Sequence, residues 1–237
     1  MSLLYQHARA FGLDLTPVQQ AQFESYYHLL VEWNARFNLT TITEYTAVQV
    51  KHFLDSLSAA PILLRAQTQN KTLLDVGAGA GFPGMALAIA FPDLRVTLLE
   101  ATGKKVGFLG QVALELPLDN VTVVHGRAEE FAHNTKQRAH FDFVVARALA
   151  PMRTLAEYTL PFARAGGVVI AYKAVDAESE TARAQNAIET LGGRVREIIP
   201  VKLADADDVR HLVVIDKIKT TPGIYPRAGG APKNKPL

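Results

Sequence analysis

The residues best suited to chemistry lie at the end of an apolar segment, where a carboxylate is followed by a turn rich in glycine. Residues 72–76 form the apolar segment and contain Asp75. The glycines of the turn are Gly77, Gly79, Gly81 and Gly84. Glycine adopts positive φ and carries no Cβ, so a ligand can lie against the peptide edge of such a turn at the start of the next helix. The pattern of strand, glycine turn and helix therefore predicts a nucleotide-type pocket.

Two cofactor classes use a turn of this kind. Gly79-x-Gly81-x-x-Gly84 fits the dinucleotide fingerprint, but Pro83 occupies its fifth position and the match begins two residues late relative to the end of the strand. In the alternative register, Asp75 could hold the cationic end of a ligand directly or through water. S-adenosylmethionine has such an end, and we favour it. A dinucleotide-dependent oxidoreductase stays open as the alternative.

A second acidic residue supports an adenosine ligand. The apolar segment 95–100 ends in Glu100, about twenty residues beyond the turn, where an acid suits a ribose diol. Both cofactor classes need such an acid, so Glu100 does not choose between them. A glycine turn that merely closes a connection would not require Asp75, the glycines and Glu100 together.

Composition narrows the class of protein. The chain has 237 residues, of which 49% are hydrophobic, enough for one large domain with a small appendage. It has no cysteine, which excludes disulfides, thiolate metal sites and covalent cysteine chemistry. No basic leader precedes an apolar core, and no apolar stretch approaches the roughly 20 residues that span a bilayer. We expect a cytoplasmic monomer with neither a membrane partner nor a metal.

The net charge of +2 does not by itself predict nucleic-acid binding, but the charge is unevenly distributed. From residue 217 to the end there are five basic residues and no acidic ones. They are Lys217, Lys219, Arg227, Lys233 and Lys235. Residues 220–237 also contain four prolines. We predict an irregular, mobile tail that contacts RNA phosphates and matters little for folding.

The first 65 residues are predicted to form a helical extension. Thr16-Pro17 is a good cap and first turn, and an aromatic stripe at helical spacing, including Phe23 and Tyr26, is typical of core packing. His52 and Asp55 lie one turn apart, a spacing that more often makes a structural hydrogen bond than a catalytic pair.

From residue 66 to 219 strands alternate with helices. Strands are predicted near 72–76, 95–100, 121–125, 141–146, 167–173, 194–201 and 211–218. Continuous apolar runs such as 141–146 require a parallel sheet covered on both faces. The short connection around Asp205 to Asp208 predicts a final antiparallel hairpin. Seven strands ending in this way indicate a doubly wound α/β, Rossmann-like class I methyltransferase domain that uses S-adenosylmethionine.

Several motifs together resemble one family, the bacterial small-subunit ribosomal RNA methyltransferase G family, also called glucose-inhibited division protein B. The matching stretches are residues 33–40, 52–56, 75–84, 100–105, 126–129, 146–148 and 225–227. The glycine motif alone is common to methyltransferases of this fold, whereas the combination is specific. The resemblance implies methyl transfer from S-adenosylmethionine to N7 of a guanine in small-subunit (16S) ribosomal RNA, either naked or in the ribosomal particle.

The resemblance also implies which residues contact the cofactor. In addition to Asp75 and Gly79 from the pattern above, these are Gly77, Phe82, Glu100, Ala101, Thr102, Ala128, Glu129 and Arg147. The segment 100–102 falls where the ribose is held, and 128–129 falls beside the adenine.

The chemistry that the chain permits agrees with this target. Methylation of pyrimidine C5 usually needs a cysteine, and methylation of an exocyclic amine usually needs an Asp/Asn-Pro-Pro-aromatic motif, where this chain has Ala146-Arg147-Ala148-Leu149. N7 of guanine carries a free lone pair and needs alignment rather than a general base. We predict that Arg147 is the catalytic residue, holding either the guanine or the cofactor carboxylate.

Basic side chains around the carboxyl ends of the strands could meet the RNA backbone. The predicted RNA contacts are Lys104, Lys105, Arg153, Lys173 and Arg227. Scattered basic residues are as often simply solvated, and a non-catalytic ribosomal RNA binder that keeps the fold is the remaining alternative.

Overall fold

The computed structural model describes residues 1–174, 176–203 and 209–237. It shows a central sheet between two layers of helices, the doubly wound α/β architecture expected. The helices are α1 (Ser2–Ala8), α2 (Pro17–Phe37), α3 (Tyr45–Val48), α4 (Asp55–Leu57), α5 (Ala60–Arg65), α6 (Gly84–Ala90), α7 (Gly103–Glu115), α8 (Ala128–Phe131), α9 (Met152–Thr159), α10 (Ala177–Arg183), α11 (Gln185–Thr190) and α12 (Ala231–Asn234). The strands are β1 (Thr72–Val76), β2 (Arg95–Glu100), β3 (Val121–His125), β4 (Phe141–Arg147), β5 (Ala163–Lys173), β6 (Gly193–Lys202) and β7 (Val209–Lys217).

The sheet confirms the predicted fold class. Its order is β3-β2-β1-β4-β5-β7-β6, and only β7 runs antiparallel to its neighbours. The predicted connection at 205–208 lies outside the described residues. Because β1, β2 and β4 are parallel, their carboxyl ends meet at one edge of the sheet. That edge brings together Asp75, Glu100 and Arg147.

The N-terminal extension packs on the same face of the sheet as α6 and α7, and it shares their core. Phe23 and Tyr26 of α2 are fully buried and pack against Phe53, with ring centroids 5.0 and 5.3 Å apart. The predicted core role of the aromatic stripe is therefore confirmed. The predicted cap is confirmed too, since the Thr16 side chain accepts from Gln19 N in a complete capping box. The division into 1–65, 66–219 and 220–237 as separate units stays a prediction.

The C-terminal tail is mostly irregular, as expected, but it is packed against the opposite face beside α9. The Arg227 side chain forms a two-pronged ion pair with Glu157 of α9, with the shortest distance 2.7 Å, and Glu157 is fully buried. The Thr154 hydroxyl donates to the Pro232 carbonyl at 2.8 Å. Our expectation of a tail that matters little for folding is therefore corrected.

Two further cations hold the start of the tail. The Arg138 guanidinium donates to the carbonyls of Thr221, Pro222 and Tyr225 at 2.7 to 3.0 Å. Lys217 is buried, and its amino group donates to Leu191 O at 2.7 Å and to the Thr221 hydroxyl of the tail. Two of the basic residues that have no acidic neighbours along the sequence, Lys217 and Arg227, thus find acceptors in space, which the sequence pattern does not reveal.

Among the described residues, none of the helices combines the length and apolarity needed to span a bilayer.

Candidate cofactor and target site

The glycine turn connects β1 to α6, and its glycines are required for two different reasons. Gly77, Gly79 and Gly81 have φ values of 73°, 61° and 92°, as the turn interpretation predicted. Gly81 also lies against the Tyr26 hydroxyl of the N-terminal extension. This hydroxyl donates to Ala80 O at 2.5 Å and so helps to hold the turn in shape. Gly84 is the first residue of helix α6 and has no room for a Cβ, because Asp75 and Leu98 occupy that space.

Asp75 occupies a different position from the one we expected. It is fully buried, and its Oδ2 accepts from Gly84 N at 2.8 Å, so it holds the turn from beneath. Its Oδ1 is buried without a hydrogen-bond partner among the described residues. Burial raises the pKa of Asp75 to about 7, despite the opposing effects of the Gly84 amide and Arg147. Direct contact between this carboxylate and a ligand would require the turn to open.

Glu100 joins the turn to the loop after β2. Its Oε2 accepts from Gly79 N at 2.9 Å and its Oε1 accepts from Thr102 N at 2.8 Å, while the side chain is almost fully buried. Ala101 and Thr102 are exposed beside it, and the Ala101 carbonyl lies 3.0 Å from His125 Nε2. Ala128 and Glu129, in the first turn of α8, are half-buried. The predicted ribose and adenine segments thus follow neighbouring strands of one edge.

The turn fits an adenosine-type cofactor by its shape. A Cβ at Gly77 would lie 2.6 Å from Leu149 Cδ1, so the Leu149 side chain already lies against the backbone there. A Cβ at Gly79 would meet nothing closer than 3.9 Å, so the peptide edge is open at that glycine. Each oxygen of the Glu100 carboxylate accepts from one backbone amide and keeps a second lone pair, which a ribose hydroxyl could use.

Arg147, the last residue of β4, is held by the N-terminal extension. Its Nη1 donates to Asp55 Oδ2 at 2.7 Å and to the Lys51 carbonyl at 3.0 Å. Its Nη2 lies 3.3 Å from His52 Nδ1, and its guanidinium carbon lies 5.2 Å from the centroid of the Phe82 ring. Only 15% of the Arg147 side chain is exposed. Ala148 follows with φ of 52°, an uncommon value for a residue with a Cβ.

His52 and Asp55 are functional candidates whose role our sequence reasoning missed. Their spacing was noted, but they do not bond to each other in the structure; both bond to Arg147. The His52 ring stacks on Phe82, with centroids 4.5 Å apart, so Phe82 is buried beneath it. Burial, and then the charge of Arg147, lower the pKa of His52 to about 4. The imidazole is therefore neutral at pH 7.

A cavity of about 410 Å³ opens beside this cluster. Its lining includes Ile42, His52, Arg147, Tyr172 and Lys173. The extension forms one wall, and β4 and β5 form the other. A planar group of nucleobase size has space here beside the Arg147 guanidinium.

The five basic residues predicted to meet RNA have different surroundings. Lys104 is exposed at the start of α7, 5.4 Å above the Phe37 ring, and Lys105 is half-buried beside it. Arg153 is exposed, and its Nε contacts the Leu237 carbonyl. Lys173 pairs with Glu180 at 2.9 Å, and Arg227 pairs with Glu157 as described above. Lys173 and Arg227 thus already serve the fold, and their contact with RNA stays a prediction.

Among the described residues, no group of three histidine or acidic side chains is arranged to hold a metal ion.

Solved structures with similar folds are methyltransferases. Precorrin-6y C5,15-methyltransferase from Geobacter metallireducens aligns with a TM-score of 0.51 at 18% identity, covering 67% of this chain and 86% of that one. A mutant 16S rRNA (adenine(1408)-N(1))-methyltransferase from Catenulisporales acidiphilia, crystallised with its cosubstrate, aligns with a TM-score of 0.54 at 13% identity, covering 68% and 92%. At these identities the likeness establishes the class I methyltransferase fold alone.

Sequence comparisons are more specific. The ribosomal RNA small subunit methyltransferase G of Dehalococcoides mccartyi strain CBDB1 is 48% identical over 237 residues, all of both chains. That of Leuconostoc citreum strain KM20 is 48% identical over 226 residues, 95% of this chain and 94% of its own. The sequence profile of the family described as rRNA small subunit methyltransferase G matches residues 19–213. This chain, with its glycine turn, Glu100 and Arg147 at one edge of the sheet, belongs to the rRNA small subunit methyltransferase G family.

Proposed function

We propose that this protein transfers the methyl group of S-adenosylmethionine to N7 of a guanine in small-subunit (16S) ribosomal RNA. The observation that carries the proposal is the convergence of the glycine turn, Glu100 and Arg147 at the carboxyl edge of β1, β2 and β4. Ligands of open α/β sheets lie at that edge. Family membership supports ribosomal RNA as the acceptor.

The cofactor would be held by groups on three neighbouring strands. Gly77 and Gly79 would present the peptide edge, and Glu100 with Ala101 and Thr102 would face the ribose. Ala128 and Glu129 would flank the adenine. Asp75 would act from beneath, by keeping the turn in shape through Gly84. When bound, S-adenosylmethionine supplies a methyl group on a positively charged sulfur.

The chain's own contribution to the reaction would be alignment. N7 of guanine needs no general base, and the two titratable groups of the cavity wall that contact Arg147 are already engaged, Asp55 by Arg147 itself and the neutral His52 by Thr40. An arginine that donated to N7 would occupy the lone pair that attacks. We therefore infer that Arg147 uses its remaining donors, Nε–H and one Nη2–H, on O6 of the guanine or on a carboxylate of the cofactor.

Binding of RNA would rest mainly on Lys104 and Arg153, which are the exposed residues among the five predicted contacts, and on the half-buried Lys105 beside Lys104. Lys173 lines the cavity beside Arg147 and would act near the target nucleotide. Arg227 would contribute to RNA binding mainly by keeping the tail folded.

Methyl transfer tests the proposal directly. Radiolabelled S-adenosylmethionine should label small-subunit ribosomal RNA from cells lacking the gene, and digestion should place the label in 7-methylguanosine. Label in another nucleoside would refute the N7 assignment. No label in either naked RNA or particles would refute the enzymatic function and favour the non-catalytic binder.

Calorimetry tests the cofactor residues. Gly77→Val should abolish detectable binding of S-adenosylmethionine, because valine does not tolerate the positive φ of the turn and its side chain would collide with Leu149. Glu100→Ala should weaken binding less severely. Unchanged affinity in both variants would show that the pocket lies elsewhere.

A further inference from the structure

A chain of hydrogen bonds runs from helix α2 to the end of strand β4. Thr40 N donates to Asn34 Oδ1 at 2.8 Å. The Thr40 hydroxyl lies 2.9 Å from His52 Nε2, and His52 Nδ1 lies 3.3 Å from Arg147 Nη2. Arginine can only donate, so the contact with Arg147 needs the tautomer in which His52 Nδ1 accepts and Nε2–H donates to Thr40; in the other tautomer Nδ1–H would donate to the Lys51 carbonyl, 3.2 Å away. These hydrogen bonds require the neutral form of the His52 imidazole.

The other side of the guanidinium is fixed by a carboxylate and a carbonyl. Asp55 is buried and pairs with Arg147 Nη1 across 92 residues of sequence. The Lys51 carbonyl can accept from the same Nη1 because residues 49–54 form a π-helical segment. There the Asp55 amide donates to Val50 O, five residues back, and leaves the Lys51 carbonyl out of the usual i−4 bond.

We propose that the N-terminal extension orients Arg147 for methyl transfer, with Asp55 and His52 as its positioning residues and Thr40 and Asn34 fixing His52. The proposal rests on the function proposed above and deepens it, because it assigns a role in the reaction to two sequence motifs outside the cofactor fold. These motifs are residues 33–40 and 52–56.

The geometry favours positioning over simple packing. Three acceptors occupy three of the five N–H donors of Arg147, and the guanidinium carbon lies 5.2 Å from the Phe82 ring centroid. Nε–H and one Nη2–H remain, beside the cavity lined by Tyr172 and Lys173. An arginine held on one side with two donors left on the other is pre-organised for a small acceptor, which reduces the entropy lost on binding.

The first test compares two aspartates, each 2.7 Å from an arginine. Asp55→Asn should lower kcat for methyl transfer at least tenfold; KM for S-adenosylmethionine should change less than twofold where Arg147 holds the guanine, and should rise where it holds the cofactor carboxylate. Asp142→Asn is the matched control, because Asp142 pairs with Arg164 at 2.7 Å at the opposite end of β4. It should leave kcat within twofold at temperatures where both variants are folded. Equal losses of kcat in both variants would show that Asp55 only stabilises the fold through its ion pair, which would overturn the proposal.

A double-mutant cycle separates action through Arg147 from any other effect. In an Arg147→Ala background, Asp55→Asn should change the rate less than twofold, since the residue that it positions is gone. A further tenfold loss in that background would overturn the proposal. Thr40→Val, which removes the hydroxyl that His52 needs, should lower kcat about threefold in the wild-type background and not in the Arg147→Ala background.

The chemical accessibility of Arg147 can be measured without catalysis, so it tests the positioning of Arg147 independently of the proposed function. Phenylglyoxal modifies accessible guanidinium groups, and mass spectrometry can follow the peptide that contains Arg147. Its modification rate should rise at least fivefold in Asp55→Asn and stay within twofold in Asp142→Asn, with Arg227 as an internal control for folding. An unchanged rate would refute the positioning role even in an active enzyme. If the wild type transfers no methyl group, the proposed function fails, whereas these rates still decide whether Asp55 holds Arg147.

Discussion

The two ends of the chain cover opposite faces of the same sheet, but different forces attach them. The N-terminal extension is attached by fully buried aromatic rings such as Phe23 and Phe53. The C-terminal tail is attached by polar contacts, chiefly those of Arg138 and of Arg227 with Glu157. Truncation of a buried ring loses apolar burial and leaves a cavity, whereas removal of one partner of a buried ion pair leaves an uncompensated charge away from water. We therefore expect the tail to be the end that is more sensitive to the loss of a charge.

The largest expected effect concerns the buried ion pair of the tail. Arg227→Ala leaves the buried Glu157 carboxylate without its cation and with only the backbone amide of residue 227 as a donor from the tail, which should cost about 3 kcal/mol of unfolding free energy. Thermal and urea unfolding followed by circular dichroism measure this loss. Lys233→Ala, at an exposed position of the same tail, is the control and should change stability by less than about 0.5 kcal/mol. Equal melting temperatures for the two variants would mean that the tail is not packed as described.

The second effect is a pH dependence at the start of the tail. Burial, and then the charge of Arg138, lower the pKa of Lys217 from 10.5 to about 7. The folded state therefore disfavours the charged amine, and stability is lost as the pH falls from above 10 towards 7. Between pH 10 and 7 the wild type should lose up to about 1.4 kcal/mol per pH unit relative to Lys217→Met. Lys219→Met, at an exposed position, should show no such difference. Parallel stability curves for Lys217→Met and the wild type would contradict the lowered pKa of the buried Lys217 amine.

The third effect tests the contact between the extension and the glycine turn. Gly81→Ala should cost about 2 kcal/mol, because φ is 92° and the new methyl group would collide with the Tyr26 hydroxyl. In a Tyr26→Phe background the added cost should be smaller, with a coupling of about 0.5 kcal/mol or more. Gly110→Ala is the control, since a Cβ there meets nothing within 4 Å, and it should stabilise helix α7 by up to about 1 kcal/mol. Strict additivity of the first two changes would show that Tyr26 does not support the turn.

The smallest effect concerns the start of the extension. Thr16→Ala removes the side-chain bond of the capping box of α2, which Gln19 N donates to the Thr16 hydroxyl, and should cost about 1 kcal/mol in urea unfolding. Thr220→Ala, an exposed threonine of the tail, should cost close to nothing. A loss as large as that of Arg227→Ala would mean that the aromatic core does not dominate the attachment of the extension.

The comparison also shows which features could be predicted from the sequence. Apolar periodicity located all seven strands, and the spacing of Asp75, the glycines and Glu100 located the edge where they meet, because these signals are local. The aromatic stripe and the Thr16 cap were predicted for the same reason. The contacts of Arg227 and Arg147 were not, since their acidic partners lie 70 and 92 residues away. The complete burial of Asp75 was also not predicted, because a strand pattern does not show that the following turn covers the Asp75 carboxylate.

The π-helical segment at 49–54 has a consequence for how the extension tolerates changes in length. Each residue of an α-helix turns the chain by about 100°, so removing one residue here would restore ordinary i−4 bonding and rotate helix α3, which runs directly into the segment, by that angle. The Lys51 carbonyl would be captured by its own helix. The Tyr45 ring of α3 would then turn away from Tyr27 of α2, with which it now packs at a centroid distance of 4.8 Å. The one extra residue of the π-helical segment thus sets how helix α3 is rotated relative to the Lys51 carbonyl and Asp55, which hold Arg147. A one-residue deletion in this segment should therefore do more harm than most substitutions within it.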